Sequence, residues 1–288
     1  MANSSAFEQP VSRFRKLLTG IRRQLGLVPE AGLLIVLLVL HLVLGAPLFI
    51  ALLGILVAGW FLSRSVLLGM AQHALDTACY ERAARYVGYA GRLYPFSADS
   101  AILQGNIAMA RSRLAQAEAA WRKALTLDSE RAAVYASLSS VLLETDRADE
   151  ALAAAEQALQ FDRNDAAAHL HLANALLVTE TDPATVETVL RKGIALAESA
   201  VDSISLRCAL AYVLLEHDRC PEARLVLQGS AELVRDCPLS QRARLYYHLG
   251  EIQRAFGEID EARNYFQASE RLDPHGRHAA AAWRAARS

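Results

Sequence analysis

Cysteine, methionine, tryptophan and lysine are all scarce in this chain of 288 residues, with 4 Cys, 3 Met and 3 Trp, and only Lys16, Lys123 and Lys192 among the 30 basic residues. Cys79, Cys208, Cys220 and Cys237 never fall as Cys-x-x-Cys. That excludes a zinc ribbon and a dense disulfide scaffold, and reads as scattered thiols packed as small apolar side chains in a reducing compartment. The sequence also lacks a glycine-rich phosphate loop, a nucleophile elbow and a His-Glu-x-x-His zinc helix. No catalytic, cofactor or metal site is therefore assigned, and the chain is not read as an enzyme. His169 and His171 stand two apart, which on a helix turns them in different directions and makes a poor chelate. Neither sign of charge dominates: 30 Lys and Arg against 31 Asp and Glu leave a net charge of −1, which argues against a nucleic-acid partner and against an acidic disordered tail.

Asp, Glu, Lys and Arg are missing altogether from residues 31–62. A single straight helix over that stretch would be about 48 Å long, against a hydrocarbon core of about 30 Å. Gly45-Ala46-Pro47 interrupts it, because Pro47 removes a backbone donor and disfavours helical geometry at Ala46. The two arms, 31–44 and 48–62, suit a tight transmembrane hairpin; a re-entrant hairpin and one kinked, tilted helix are the alternatives. Basic residues flank both ends, Arg13, Arg15, Lys16, Arg22 and Arg23 before and Arg64 after, around an uncharged turn. A hairpin with both ends in the cytoplasm fits that pattern, whereas a single span would place the remainder of the chain outside. The apolar stretch is too long, and the charged leader before it too extended, for a cleaved signal peptide. Within the leader, Val11, Phe14, Leu17, Leu18, Ile21 and Leu25 recur at helical spacing among basic residues. This predicts a helix lying on an anionic leaflet or packed on a partner's membrane domain. His41 is read as a neutral residue beside a packed helix pair.

From residue 64 onward the sequence repeats itself. Ala83, Ala117 and Ala151 are separated by 34 residues each, and the register continues through Val186, Ala223 and Ala262. Two further columns move with it: Val87, Trp121, Ala155, Leu190, Leu227 and Phe266 four residues on, and Ala90, Ala124, Ala158, Gly193, Ser230 and Ser269 seven on. Small residues let antiparallel helices approach closely and a bulky neighbour fills the gap, so each column marks a helix contact. With Pro95 and Pro274 closing the first and last units, and Leu249-Gly250 opening the last, the chain resembles the tetratricopeptide repeat family. Ser129 and Arg163 replace that proline in the second and third units, and the fourth and fifth carry extra residues around 181–184, 200–203 and 236–241. The resemblance implies an all-α chain in which a membrane hairpin precedes an α-solenoid superhelix of about six helix pairs. The parts are a basic amphipathic leader (1–30), the hairpin (31–62, turn at 45–47), the solenoid (64–276) and a capping helix (277–288) that includes Trp283.

In that family the first helix of each repeat lines a concave groove that takes a partner's peptide or helix. Carried over residue by residue, the resemblance points to Ile102, Asn106, Ser140, Leu170, Asn174, Tyr212, Tyr247 and Glu251 as protein-binding positions, with Ala136 and Cys208 on the same face. Asparagine offers both a donor and an acceptor to a partner's backbone, and tyrosine is a common interface anchor. The lysines that clamp a terminal carboxylate in chaperone-binding relatives are missing there. The implied function is a non-enzymatic, membrane-anchored scaffold at a bacterial inner membrane, with its repeats in the cytoplasm and no cofactor. A membrane hairpin followed by repeats is similar to the membrane scaffolds of Pel-type exopolysaccharide secretion, which implies another membrane subunit and a cytoplasmic regulatory or synthase protein as partners. An extracytoplasmic single-span assembly factor, or a non-catalytic subunit of a membrane enzyme, are the alternatives.

Overall fold

A computed structural model of the chain describes residues 36–39, 41–42 and 48–287. The leader and the turn at 45–47 lie outside the described residues. Among the described residues every regular element is helical. The first long element, α1, runs unbroken over Leu48–Asp76. It carries the second arm of the apolar stretch past residue 62 and ends as the first helix of the solenoid. Its first half is exposed and apolar, with Leu52, Ile55, Leu56 and Leu62 bare, whereas Ala71, Ala74 and Leu75 near its end are buried against Tyr80, Ala83 and Val87.

Helix pairs then follow in order: α2 (Tyr80–Leu93) against the end of α1, α3 (Ala98–Ala110) with α4 (Leu114–Leu127), and α5 (Ala132–Glu144) with α6 (Ala148–Phe161). Next come α7 (Ala166–Val178) with α8 (Pro183–Leu196), and α9 (Ala200–Glu216) with α10 (Cys220–Leu227). A short α11 (Ser230–Leu233) and a 3₁₀ turn (Val234–Asp236) lead into α12 (Leu239–Ala255), α13 (Ile259–Leu272) and a terminal α14 (Ala279–Ala285).

The three small-and-bulky columns are the helix contacts. All their members are buried except Leu227, which is half-exposed where α10 stops after eight residues. The chain turns there at Gly229, whose φ of +77° is left-handed and suits glycine. Ser230 nevertheless stays fully buried, so the column survives the break.

Each pair is joined by the same turn, which no column announces. Ala78, Ser112, Asp146, Glu180, Asp218 and Gly257 all have φ between +55° and +81°. The N–H after each donates five residues back, from Cys79 to Ala74 O at 2.8 Å through to Glu258 to Gln253 O at 2.9 Å. That six-to-one bond defines a Schellman cap. Five of the six left-handed positions hold side chains that carry a steric penalty of about 1–2 kcal/mol. Changing Ser112 to Gly is accordingly expected to raise the thermal unfolding midpoint slightly, which a calorimetric scan reads directly.

Arginines at the start of second helices bridge neighbouring repeats. Arg147 binds Glu118 at 2.8 Å and Glu150 at 2.6 Å, and Arg219 binds Glu187 at 2.6 Å and Glu222 at 2.7 Å. The fork geometry of guanidinium matches two carboxylates at once, and Arg147 and Arg219 hold Glu118 and Glu187 below the usual carboxylate range.

At the C-terminus, α14 caps the last pair through Ala282 and Ala286 against Ala262 and Phe266. Trp283 is not the packing residue of this cap. It is 49% exposed and lies under the guanidinium of Arg287, 4.4 Å from the ring centroid.

Candidate functional site

The superhelix closes on itself. Tyr80, the first residue of α2, donates its hydroxyl to Asp273 just past α13, and α12 touches α1. Asp273 occupies the position that follows the second helix, where Asp128 and Asp162 in earlier repeats accept backbone N–H groups of their own turns. In the last repeat that turn is followed by Arg277, which crosses to Glu144 at 2.5 Å and lays its other nitrogen 3.6 Å from Met109 Sδ. Repeats one, two and three are thereby tied to the end of repeat six. Removing the tyrosine hydroxyl in Tyr80→Phe costs a buried hydrogen bond to a carboxylate, worth about 1.5–3 kcal/mol. Tryptic cleavage after Arg277, followed by mass spectrometry, should accelerate about tenfold or more in that variant; an unchanged rate would show that the bond does not hold the ends together.

Closure leaves a cavity of about 360 Å³ on the concave side. Asn106 and Ser140 line it, as their positions on first helices predict. The other carried-over residues do not meet there. Ile102 packs on the Ala101–Trp121 cluster, and Leu170 belongs to the large cluster around Leu206 and Leu210. Tyr212 packs on the same cluster and donates to the carbonyl of His248 at 3.3 Å. Tyr247 is stacked on His278, 4.8 Å between centroids, and leans on Phe266. Glu251 is held by Arg254 at 2.7 Å, and Asn174 is half-buried on α7. Both tyrosines are thus occupied by the chain's own packing. Ala136 and Cys208 are buried, and burial pushes the Cys208 thiol up to about 12.

Four cavity residues had no motif to mark them: His171 on α7, Arg244 on α12, and Arg277 and His278 before α14. His169 and His171 do diverge. His169 is buried with Nδ1 against Asp165 O at 2.9 Å, while His171 faces the cavity. Burial first, then the field of Arg244, lowers His171 to about 4. Burial followed by Arg277 and Arg244 lowers His278 to about 4, and His248 behind them falls to about 3 by burial, Arg244, His278 and Arg277. Among the described residues no group of three His, Cys, Asp or Glu side chains is arranged to hold a metal ion.

A tetratricopeptide repeat profile matches residues 132–165 and 243–275, which are the α5–α6 and α12–α13 pairs. The chain carries tetratricopeptide repeats. Solved structures share the fold. PilF from Pseudomonas aeruginosa superposes with a TM-score of 0.52 at 22% identity, covering 75% of this chain and 94% of its own. PilW, described as a widely conserved type IV pilus biogenesis factor, gives 0.53 at 16% identity over 76% of this chain and 98% of its own. A thermophilic tetratricopeptide repeat protein of Thermus thermophilus gives 0.55 at 16% identity over 65% and 98%. At these identities the likeness is one of fold. No curated protein sequence matches the chain significantly. The repeat broken at Gly229 is not among the two matched.

Proposed function

We propose that this protein is a membrane-anchored tetratricopeptide scaffold that holds a protein-docking surface at a bilayer. One observation carries the reading: α1 is a single helix, long and apolar enough by length and composition over Ile50–Asp76 to cross a membrane, whose first half is exposed and whose last turns are the first helix of the solenoid. The surface next to it supports the same placement. Trp60 packs edge-on against Tyr94, Tyr94 against Phe96, and Arg64 sits over Tyr94 at 5.1 Å. Phe96 is 70% exposed and Tyr89 stands beside Arg92. Aromatic rings with arginine at the end of an apolar helix are the composition of a membrane–water boundary.

The basic flanks on both sides of residues 31–62 favour a hairpin that leaves the repeats in the cytoplasm of a bacterial inner membrane. The repeats then recruit or order other proteins there, without catalysis of their own. The finer reading, a part in exopolysaccharide synthesis or export, rests on the likeness of the hairpin-and-repeat architecture.

A C-terminal alkaline phosphatase fusion tests the orientation: the expected result is an inactive fusion in membrane fractions, and strong activity would place the repeats outside. Because Tyr212 and Tyr247 support the fold, docking is better probed with photo-crosslinking side chains at Ser140 and Asn174 and, as an outward-facing control, at Glu156. A defined adduct from the first two positions and none from the third is expected; equal labelling from all three would count against the groove.

A further inference from the structure

The last repeat reaches into the concave face with its own chain. After α13 the chain turns through residues 273–278 before α14, and two side chains of that turn cross the groove. Arg277 binds Glu144 at 2.5 Å and lies 3.6 Å from Met109 Sδ. Met109 and Glu144 stand in the last turns of α3 and α5, where the carbonyl ends of two first helices favour a cation. Arg277 and Glu144 are both half-buried, so water and salt screen the pair less than an exposed one. His278 stacks on the Tyr247 ring of α12, 4.8 Å between centroids, and meets His248 edge-on at 5.5 Å. The turn thus sets a cation and a flat ring on the first helices of three repeats, the helices that a docked segment uses. Capping does not require this reach, since α14 covers the last pair through Ala282 and Ala286. In the turn after α4 the arginine stays local: Arg131 binds Asp128 at 2.6 Å and Asp99, on the adjoining repeat, at 3.0 Å.

We propose that the turn carrying Arg277 and His278 is an internal ligand of the concave groove, and that the protein segment which docks there displaces it with the same chemistry, an arginine for Glu144 and an adjacent aromatic ring for Tyr247. The inference rests on the reading of the concave face as the docking surface and names the partner's chemistry. Glu144 sets the sign of the partner's charge. It has no other ion pair among the described residues, and losing Arg277 without a replacement leaves a half-buried carboxylate unpaired, which is costly. Tyr247 sets the second feature, because its exposed face is covered only while a ring lies on it. The tether presents the internal ligand at high effective concentration. A partner therefore prevails only by adding contacts along the groove, and a short peptide is shut out while the turn is seated.

Two measurements on the full chain in mild detergent test this. The first is fluorescence anisotropy of the labelled peptide Ala-Gly-Arg-Trp-Gly-Ala. Saturable binding is expected to the variant Arg277→Ala/His278→Ala, about tenfold or more weaker binding to wild type, and a similar loss when Glu144→Gln is added to the opened variant. The second places a photo-crosslinking side chain at Ser140, which lines the same cavity as Arg277 and His278. Wild type should give an internal adduct to residues 275–279, Arg277→Glu should lose it about fivefold or more, and the exchanged pair Glu144→Arg/Arg277→Glu should restore it. Restoration separates a broken contact from a misfolded chain. The proposal is overturned by the absence of the internal adduct in wild type, by an adduct indifferent to Arg277→Glu, by no peptide binding to the opened variant up to about 5 mM, or by equal binding to wild type. Adducts to another protein from Ser140 and Asn174 that form equally in wild type and the opened variant would keep the docking surface and sink the internal ligand. Their absence from both, with the peptide and internal-adduct results as expected, would sink the docking surface and keep the seated turn.

Discussion

Lowering the pH from 7 to 4.5 is expected to destabilise the solenoid steeply, beginning near pH 6.5, before ordinary carboxylates titrate. His171, His248 and His278 are held neutral to about 4, about 3 and about 4 by burial and by Arg244 and Arg277, while in the unfolded chain each titrates near its ordinary 6.5. Above about pH 6.5 both states leave them neutral and they contribute no pH dependence. As the pH falls from 6.5 toward 4, the unfolded chain takes up protons that the folded chain refuses. Each histidine then removes about 1.4 kcal/mol of stability per pH unit. Three acting together approach about 4 kcal/mol per unit, against a typical total of about 5–15 kcal/mol.

Glu144 and Asp273 work the other way, since burial raises both and the folded state protonates them first. Glu118 and Glu187, held low by Arg147 and Arg219, add to the loss below about 4.5. Thermal midpoints measured across this range should fall steeply between pH 6.5 and 4.5, and His248→Gln should flatten that slope by about one proton. A midpoint that stays level down to pH 5 would mean that the histidines are hydrated and the concave face is open.

The repeat register is legible because helix contact demands small and bulky residues at fixed spacing, and alanine, glycine and serine at those spacings have few other uses. Ala83, Ala117 and Ala151 therefore locate the helix pairs by themselves. The turns are less visible. A left-handed residue is readable when it is glycine, as at Gly257, but not when the position holds Ala78, Glu180 or Asp218. Closure of the superhelix is not legible at all. Tyr80 and Asp273 are 193 residues apart and Arg277 and Met109 are 168 apart; no local pattern links such pairs, and each residue alone reads as an ordinary surface side chain.

The dispersal of the groove positions has the same origin. Tyr212 and Tyr247 are free anchors only in an open superhelix, and here the last repeat's turn brings His278 against one of them while the His248 carbonyl takes the hydroxyl of the other.

Replacing Trp121 with alanine is expected to cost about 3–5 kcal/mol, the range for deleting a buried aromatic, and to loosen the second repeat specifically. Trp121 is only 2% exposed. Its Nε1 donates to Asn106 Oδ1 at 3.2 Å, and its indole lies where a side chain on Gly105 would have to stand. The same arrangement recurs in the last repeat, where Phe266 fills the space above Gly250, the first obstruction to a Cβ there being Phe266 Cε1 at 2.8 Å. The two glycines thus serve close approach rather than backbone freedom, since both lie inside helices.

Gly105→Ala improves helix propensity by about 1 kcal/mol, yet it drives a methyl group into the indole ring of Trp121. Overpacking of this kind costs about 1–3 kcal/mol or more, so a net loss of stability is expected where helix propensity alone predicts a gain. The combination Gly105→Ala with Trp121→Leu separates the causes. If the close fit is the origin of the loss, the double variant is more stable than the sum of the single changes predicts, with a coupling of about 1 kcal/mol or more. Urea denaturation followed by circular dichroism measures all four corners of the cycle. Strict additivity would show that Gly105 and Trp121 do not share a contact and that the small-beside-bulky columns do not set the helix spacing.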